Sequence, residues 1–80
     1  MIISAQVSLY PLRQDHLSPA IQSLYSAFQS AGLSPDIGTM STLVTGEADL
    51  VFDSLRRGFS RAAANGQVVM VVTLSNACAV

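Results

Sequence analysis

The sequence predicts an α+β fold: a βαββαβ sandwich whose four-stranded antiparallel sheet, in strand order 4-1-3-2, carries two helices on one face. Three observations predict it. Four strand signals and two helix signals alternate along the chain with no low-complexity tract or linker between them. The two strand–helix–strand halves echo one another, Ser23, Leu24 and Phe28 recurring as Ser54, Leu55 and Phe59 at one constant offset. Right-handed crossovers in both halves then place the first and third strands centrally and both helices on the same side. This is the ferredoxin-like split βαβ arrangement, and 80 residues suit one such domain, 1–80.

Each element has its own signal. From Ile2 to Tyr10, Ile3, Ala5, Val7 and Leu9 alternate with Ser4, Gln6, Ser8 and Tyr10, the period of a strand with one buried face, and Pro11 ends it. The first helix is expected from Ser18, a capping residue followed by Pro19 at the first helical position, to Ala31. Its apolar stripe is Leu17, Ile21, Leu24, Phe28 and Ala31, and Gly32 supplies a left-handed stop. Leu33–Gly38 reads as a short strand, at an edge or at a bulge, since Pro35 cannot donate to a ladder. Gly38 and Thr39 turn the chain into a third strand, Met40–Thr45. Gly46, Glu47 and Asp49 open the second helix, with acids near its positive end. Ala48, Phe52, Leu55, Phe59 and Ala62 are its expected buried stripe, and Asn65-Gly66 ends it. The last strand, Val68–Ser75, is apolar on both faces. Strands covered on both sides read this way, and a second subunit is the expected cover.

Composition narrows the function. Half the residues are apolar and only 11% charged, against about 25% in an ordinary soluble domain, and mean hydropathy is +0.45. No apolar run approaches a membrane span, and Met1-Ile2-Ile3-Ser4 lacks the basic start of a signal peptide. A cytoplasmic homo-oligomer, dimer or tetramer, is therefore expected, with no membrane partner. Four arginines, no lysine and five acids give a net charge of −1, which supplies too little positive surface to bind nucleic acid. Lone Cys78 cannot close an intrachain disulfide, and one histidine, His16, cannot build a Cys/His zinc site within the chain. The arginine group Arg56, Arg57 and Arg61 reads as solvated helix face rather than a phosphate cradle.

The sheet face away from the helices is where a site is expected. Gln6, Ser8 and Ser4 project there from the first strand without a single charge. From the third strand either Met40, Thr42 and Val44 or Ser41, Leu43 and Thr45 join them, both sets being mixed. The last strand ends in Thr73-Leu74-Ser75-Asn76, again neutral. Such groups suit the edge of a heteroaromatic ring or a hydroxyl.

These segments carry a resemblance. Ala5–Leu12, with its strand running into Pro11-Leu12, Gly38–Gly46 with Met40-Ser41-Thr42 before Gly46-Glu47, and Val69–Asn76 together resemble the YkoF-like thiamine-binding family over nearly the whole chain. The resemblance implies a ferredoxin-like domain, assembly through sheet pairing and packing, and binding of thiamine or its hydroxymethylpyrimidine part. Members of the broader group carry an acid where Gln6 stands. An aminopyrimidine edge offers adjacent donors and acceptors, so the expected ligand-binding residues are Gln6, Ser8, Met40, Ser41, Thr42 and Asn76, with Met40 over the ring.

The expected function is thus small-molecule binding without catalysis, cofactor or metal. A dimeric αβ-barrel enzyme and a purely structural oligomerisation module are the alternatives. The enzyme would need a reactive pair that the carboxylates' spacing does not show, and His16 reads as a solvated loop residue. Cys78 is expected to serve neither binding nor assembly, having no basic neighbour in sequence to lower its pKa.

Overall fold

The computed structural model describes residues 1–13 and 18–77. Leu17, His16 and Cys78, on which expectations fell, lie outside the described residues, as does the side chain of Ser18. The elements are β1 (Ile2–Pro11), α1 (Ser18–Ser30), β2 (Asp36–Ile37), β3 (Thr42–Glu47), α2 (Ala48–Ala63) and β4 (Val68–Ser75). They form one antiparallel sheet in the order β2-β3-β1-β4, with β1 between β3 and β4. Fold and strand order are those predicted from the halves and their handedness. No helix among the described residues is long and apolar enough to cross a membrane.

The alternation of β1 sets the two sides of the sheet. Ile3, Ala5, Val7 and Leu9 are buried beneath the helices, joined by Val44 of β3 and by Leu24 and Phe28 of α1. Val68, Met70 and Val72 of β4 flank this core, only partly covered.

Helix α1 ends where Gly32 adopts φ +81°. The Leu33 amide donates to the Phe28 carbonyl (3.0 Å) and the Gly32 amide to the Gln29 carbonyl (2.9 Å), the paired bonds of a Schellman stop. This cap shortens β2. Leu33 has committed its amide to the helix and Pro35 has none, so the expected strand Leu33–Gly38 contracts to Asp36–Ile37. The Gly38 amide donates to the Ser41 carbonyl (2.8 Å) and closes a tight hairpin, which delays β3 to Thr42 instead of Met40. Its end at Glu47 runs straight into α2.

The buried face of α2 corrects the expected stripe. Ala48, Leu55 and Ala62 are buried as predicted, but Val51, Ser54 and Gly58 complete the face, while Phe52 and Phe59 are 51% and 40% exposed. The reason is the neighbouring helix. A Cβ on Gly58 would stand 2.9 Å from Leu24 Cδ1 and 3.1 Å from Leu24 Cα, so α1 comes against α2 where α2 carries its smallest residues. The wider aromatic side is turned away, and Phe52 borders a small apolar cleft with Ile3 and Leu74. The buried Ser54 hydroxyl donates to the Leu50 carbonyl (2.7 Å), as its counterpart Ser23 donates to Pro19 (3.0 Å), so the repeated serines are satisfied locally in both helices.

Filling this contact should be costly. Gly58→Val is expected to destabilise the fold by about 1–3 kcal/mol, the usual cost of overpacking, read as a lower denaturant midpoint at unchanged slope. A midpoint equal to wild type would show that the helices can part freely there.

Candidate functional site

Strand β1 is ten residues long and β3 six. Their pairing runs from Ile2↔Glu47 to Val7↔Thr42, whereas β4 accompanies β1 as far as Pro11↔Val68. Beyond Val7 the β3 side of β1 therefore has no strand beside it. The Gly38–Ser41 hairpin and the side of α1 close this gap into a cleft of about 250 Å³. Its walls are apolar, from Val7, Leu9, Ile21, Leu24 and Ile37, and its rim is formed by Ser8, Tyr10, Met40 and Ser41.

The polar groups at the cleft are neutral and partly unspent. The Ser8 hydroxyl donates to the Met40 carbonyl (3.3 Å) and so ties the hairpin to β1. Gln6 Nε2 donates to Ser41 Oγ (3.3 Å), leaving the amide oxygen without a partner among the described residues. Thr42 is the more telling. The residue is 5% exposed and lines the cleft, and its hydroxyl makes no hydrogen bond among the described residues, where Arg57 Nε is the fully buried polar atom without one. A hydroxyl that is not sealed off from the cleft keeps its donor and acceptor capacity for a molecule that enters there.

The register that sequence left open is now set. Gln6 faces Leu43 and Ser4 faces Thr45, so Ser41, Leu43 and Thr45 share the open face with Gln6 and Ser8. Ser4 and Thr45 share a hydrogen bond of 2.7 Å there. Thr42 and Val44 turn toward the helices. Of the expected site residues, Ser8, Met40, Ser41 and Thr42 border one cleft, and Gln6 adjoins it through Ser41. Met40 is 84% exposed on the hairpin. Asn76 stands apart. It follows Ser75, which pairs with Ser4, and contacts Met1 Sδ (3.9 Å), roughly 17 Å along β1 from Ser8. Sequence reasoning missed Tyr10 at the rim and Ile21, Leu24 and Ile37 in the walls. Only the unequal strand lengths could have revealed them.

Electrostatics leave the cleft alone. On α2, Asp53 pairs with Arg56 (2.8 Å) and approaches Arg57 Nε (3.0 Å), the second contact being an ion pair without hydrogen-bond alignment. The Arg56 hydrogen bond holds the Asp53 carboxyl below its ordinary range, helped by the charges of Arg57 and Arg56 and opposed by partial desolvation. Because that pKa is lowered in the folded state, any stabilisation is present above the unfolded carboxylate's pKa and fades as pH falls through the folded one. These arginines are thus occupied as a helix-surface cluster. No group of three or more His, Cys, Asp or Glu side chains that could hold a metal exists among the described residues.

Fold and cleft together define a ferredoxin-like α+β domain with a neutral, partly unsatisfied cleft at the end of its central strands. The chain matches the model of the YKOF-related family over residues 2–80 and belongs to that family. Among solved structures it is similar to a hypothetical protein of Methanocaldococcus jannascii (TM-score 0.85, 19% identity, 94% of this chain and 79% of that one). A Streptococcus pneumoniae protein is similar at TM-score 0.83 and 19% identity over 94% and 86% of the two chains. A Thermotoga maritima protein described as a candidate for thiamine biosynthesis or salvage matches at TM-score 0.79 and 17% identity over 94% and 83%. At such identities these likenesses show the fold. No curated protein matches the sequence.

If the Thr42 hydroxyl is unspent within the fold, Thr42→Val keeps the shape and removes only an unpaired group. Its melting temperature is expected to equal or exceed that of wild type. A loss of about 1 kcal/mol or more, the typical value of a hydrogen bond, would mean that the hydroxyl is already bonded inside the protein.

Proposed function

We propose that this protein binds a small molecule without transforming it, and that the ligand is thiamine or its hydroxymethylpyrimidine moiety. The observation that carries the site is the Thr42 hydroxyl, unbonded among the described residues and lining an apolar cleft whose rim carries Ser41, to which the Gln6 amide donates from the open face. An apolar pocket with a few convergent polar groups is the usual form of a ligand site. At about 250 Å³ the cleft falls below the ~300–1,000 Å³ of drug-sized sites, so a single ring suits it. A two-ring ligand would lie partly across the open sheet face. The groups offered are hydroxyls, an amide and a thioether, suited to recognition rather than proton transfer. The YKOF-related family and the thiamine-related description of the Thermotoga maritima structure support the ligand class.

The proposal includes assembly. β4 lies at the sheet edge, eight residues long, with no charge and no proline. Natural sheet edges are usually guarded by such residues, by bulges or by short length. The opposite edge is guarded, since β2 has two residues, Asp36 among them, directly after Pro35. A second copy pairing along β4 would cover the unguarded edge and the exposed Val69 and Val71 beside it.

Calorimetric titration tests the ligand. Wild type is expected to bind thiamine or the pyrimidine, and Thr42→Val and Gln6→Leu each to bind about tenfold or more weakly, on the ~1–3 kcal/mol scale of a lost buried partner. No heat with either compound overturns the ligand class, and wild-type affinity in both variants moves the site. For assembly, sedimentation should find wild type as an oligomer at micromolar concentration and Val71→Lys as a folded monomer. A monomeric wild type with an unchanged melting temperature on dilution excludes an obligate assembly.

A further inference from the structure

The charges of this chain are segregated. Glu47, Asp49, Asp53, Arg56, Arg57 and Arg61 lie on α2 or at its start, six of the nine charged side chains in the sequence. None of those that fall among the described residues lines the cleft. On the open sheet face, the neighbours of Gln6 are Ser4 and Ser8 along β1, Leu43 across β3 and Thr73 across β4. The nearest described charge in that row is Asp36, which faces Leu43 from β2. Two strand spacings put it roughly 10 Å from Gln6, about the distance at which salt screens exposed charges. The three arginines of α2 are on the helical side of the sheet, and Arg13 lies beyond the end of β1.

Gln6 is therefore the group a ligand meets when it extends from the cleft onto the sheet. It offers an amide oxygen unpaired among the described residues and a second N–H, both neutral. A charged ligand group placed there finds no counter-charge in contact with it among the described residues, so it gains less than a neutral group that takes both hydrogen bonds. A neutral heteroaromatic edge loses little and gains both hydrogen bonds.

We infer that Gln6 makes this site selective for uncharged ligands. Within the ligand class proposed above, on which the inference rests, the site takes the neutral aminopyrimidine alcohol in preference to thiamine and its phosphate esters. Thiamine carries a permanent thiazolium cation, and with its pyrimidine in the one-ring cleft that cation falls over Gln6. A phosphate ester adds negative charge that no cation among the described residues lining the cleft can match.

Three titrations at neutral pH, with the hydroxymethylpyrimidine, thiamine and thiamine diphosphate, test this on the wild-type protein, and two repeats test it on Gln6→Glu. The pyrimidine is expected to bind wild type at least about tenfold more tightly than thiamine, with the diphosphate weakest. In Gln6→Glu, the ratio of thiamine to pyrimidine affinity should rise about tenfold or more, because a carboxylate then faces the cation. Circular dichroism establishes that the variant is folded. Should it fail to fold, the wild-type ratio decides alone. Thiamine or its diphosphate binding wild type as tightly as the pyrimidine overturns the inference while leaving the ligand class standing, as does an unchanged ratio in folded Gln6→Glu. Silence from all three compounds overturns the ligand class, and the selectivity with it.

Discussion

The structure depends on a mismatch of length at its centre. β1 extends four residues past its last pairing with β3 but remains paired with β4 to its end. A matched pair would have continued the sheet and packed its helix side shut. Instead the backbone beyond Val7 borders a space that a hairpin and a helix flank only partly. The bond from Ser8 to the Met40 carbonyl ties that hairpin to β1. Cleft, rim and the unspent Thr42 hydroxyl all follow from where β3 begins. That start is fixed upstream, by the Schellman cap that takes the Leu33 amide and the tight turn from Gly38 to Ser41.

Small residues perform a second function that hydropathy does not report. Gly58 and Ser54 on α2, with Ala20 and Ala27 on α1, are all buried, and they let two short helices approach closely above one sheet face. Dense packing of this kind supplies contacts that an 80-residue chain is otherwise short of. Its consequence is that Phe52 and Phe59, the largest apolar residues of α2, stay about half exposed beside the packed face. The apolar excess in the composition is thus found at the surface, on α2, on the open sheet face and along β4.

Charge is distributed to match. With six of nine charged side chains on or beside α2, that helix presents the most strongly hydrated surface, while α1 carries no charged residue from Ser18 to Ser30. A neutral sheet face and an uncharged edge strand have little affinity for ions and a small desolvation cost on being covered. The same property favours burial of a neutral ring in the cleft and pairing of the β4 edge. Both rest on how little charge the described residues carry on that side of the molecule, where Asp36 of β2 stands in the row of Gln6.

The sequence by itself determined the elements, their order and the two sides of β1. These follow from local and pairwise physics: alternation with period two, an apolar stripe with period near 3.6, a glycine where φ must be positive, and the handedness of crossovers. Of the residues it put forward, Ser8, Met40, Ser41 and Thr42 border one cleft, because a central third strand must begin beside the far half of the first. Only the tertiary structure decided which face of β3 turns outward, since Thr42-Leu43-Val44-Thr45 has hydrophobic residues on both alternating sets and so no pattern to read. It decided the rotation of α2, where Ala48, Leu55 and Ala62 belong to either candidate stripe and the demand of α1 for Gly58 broke the tie. It separated Asn76 from the cleft, since the end of β4 lies beside the start of β1. Periodicity is a property of one segment, whereas register, helix rotation and cavities belong to pairs of segments, and they are settled when those segments compete for the same space.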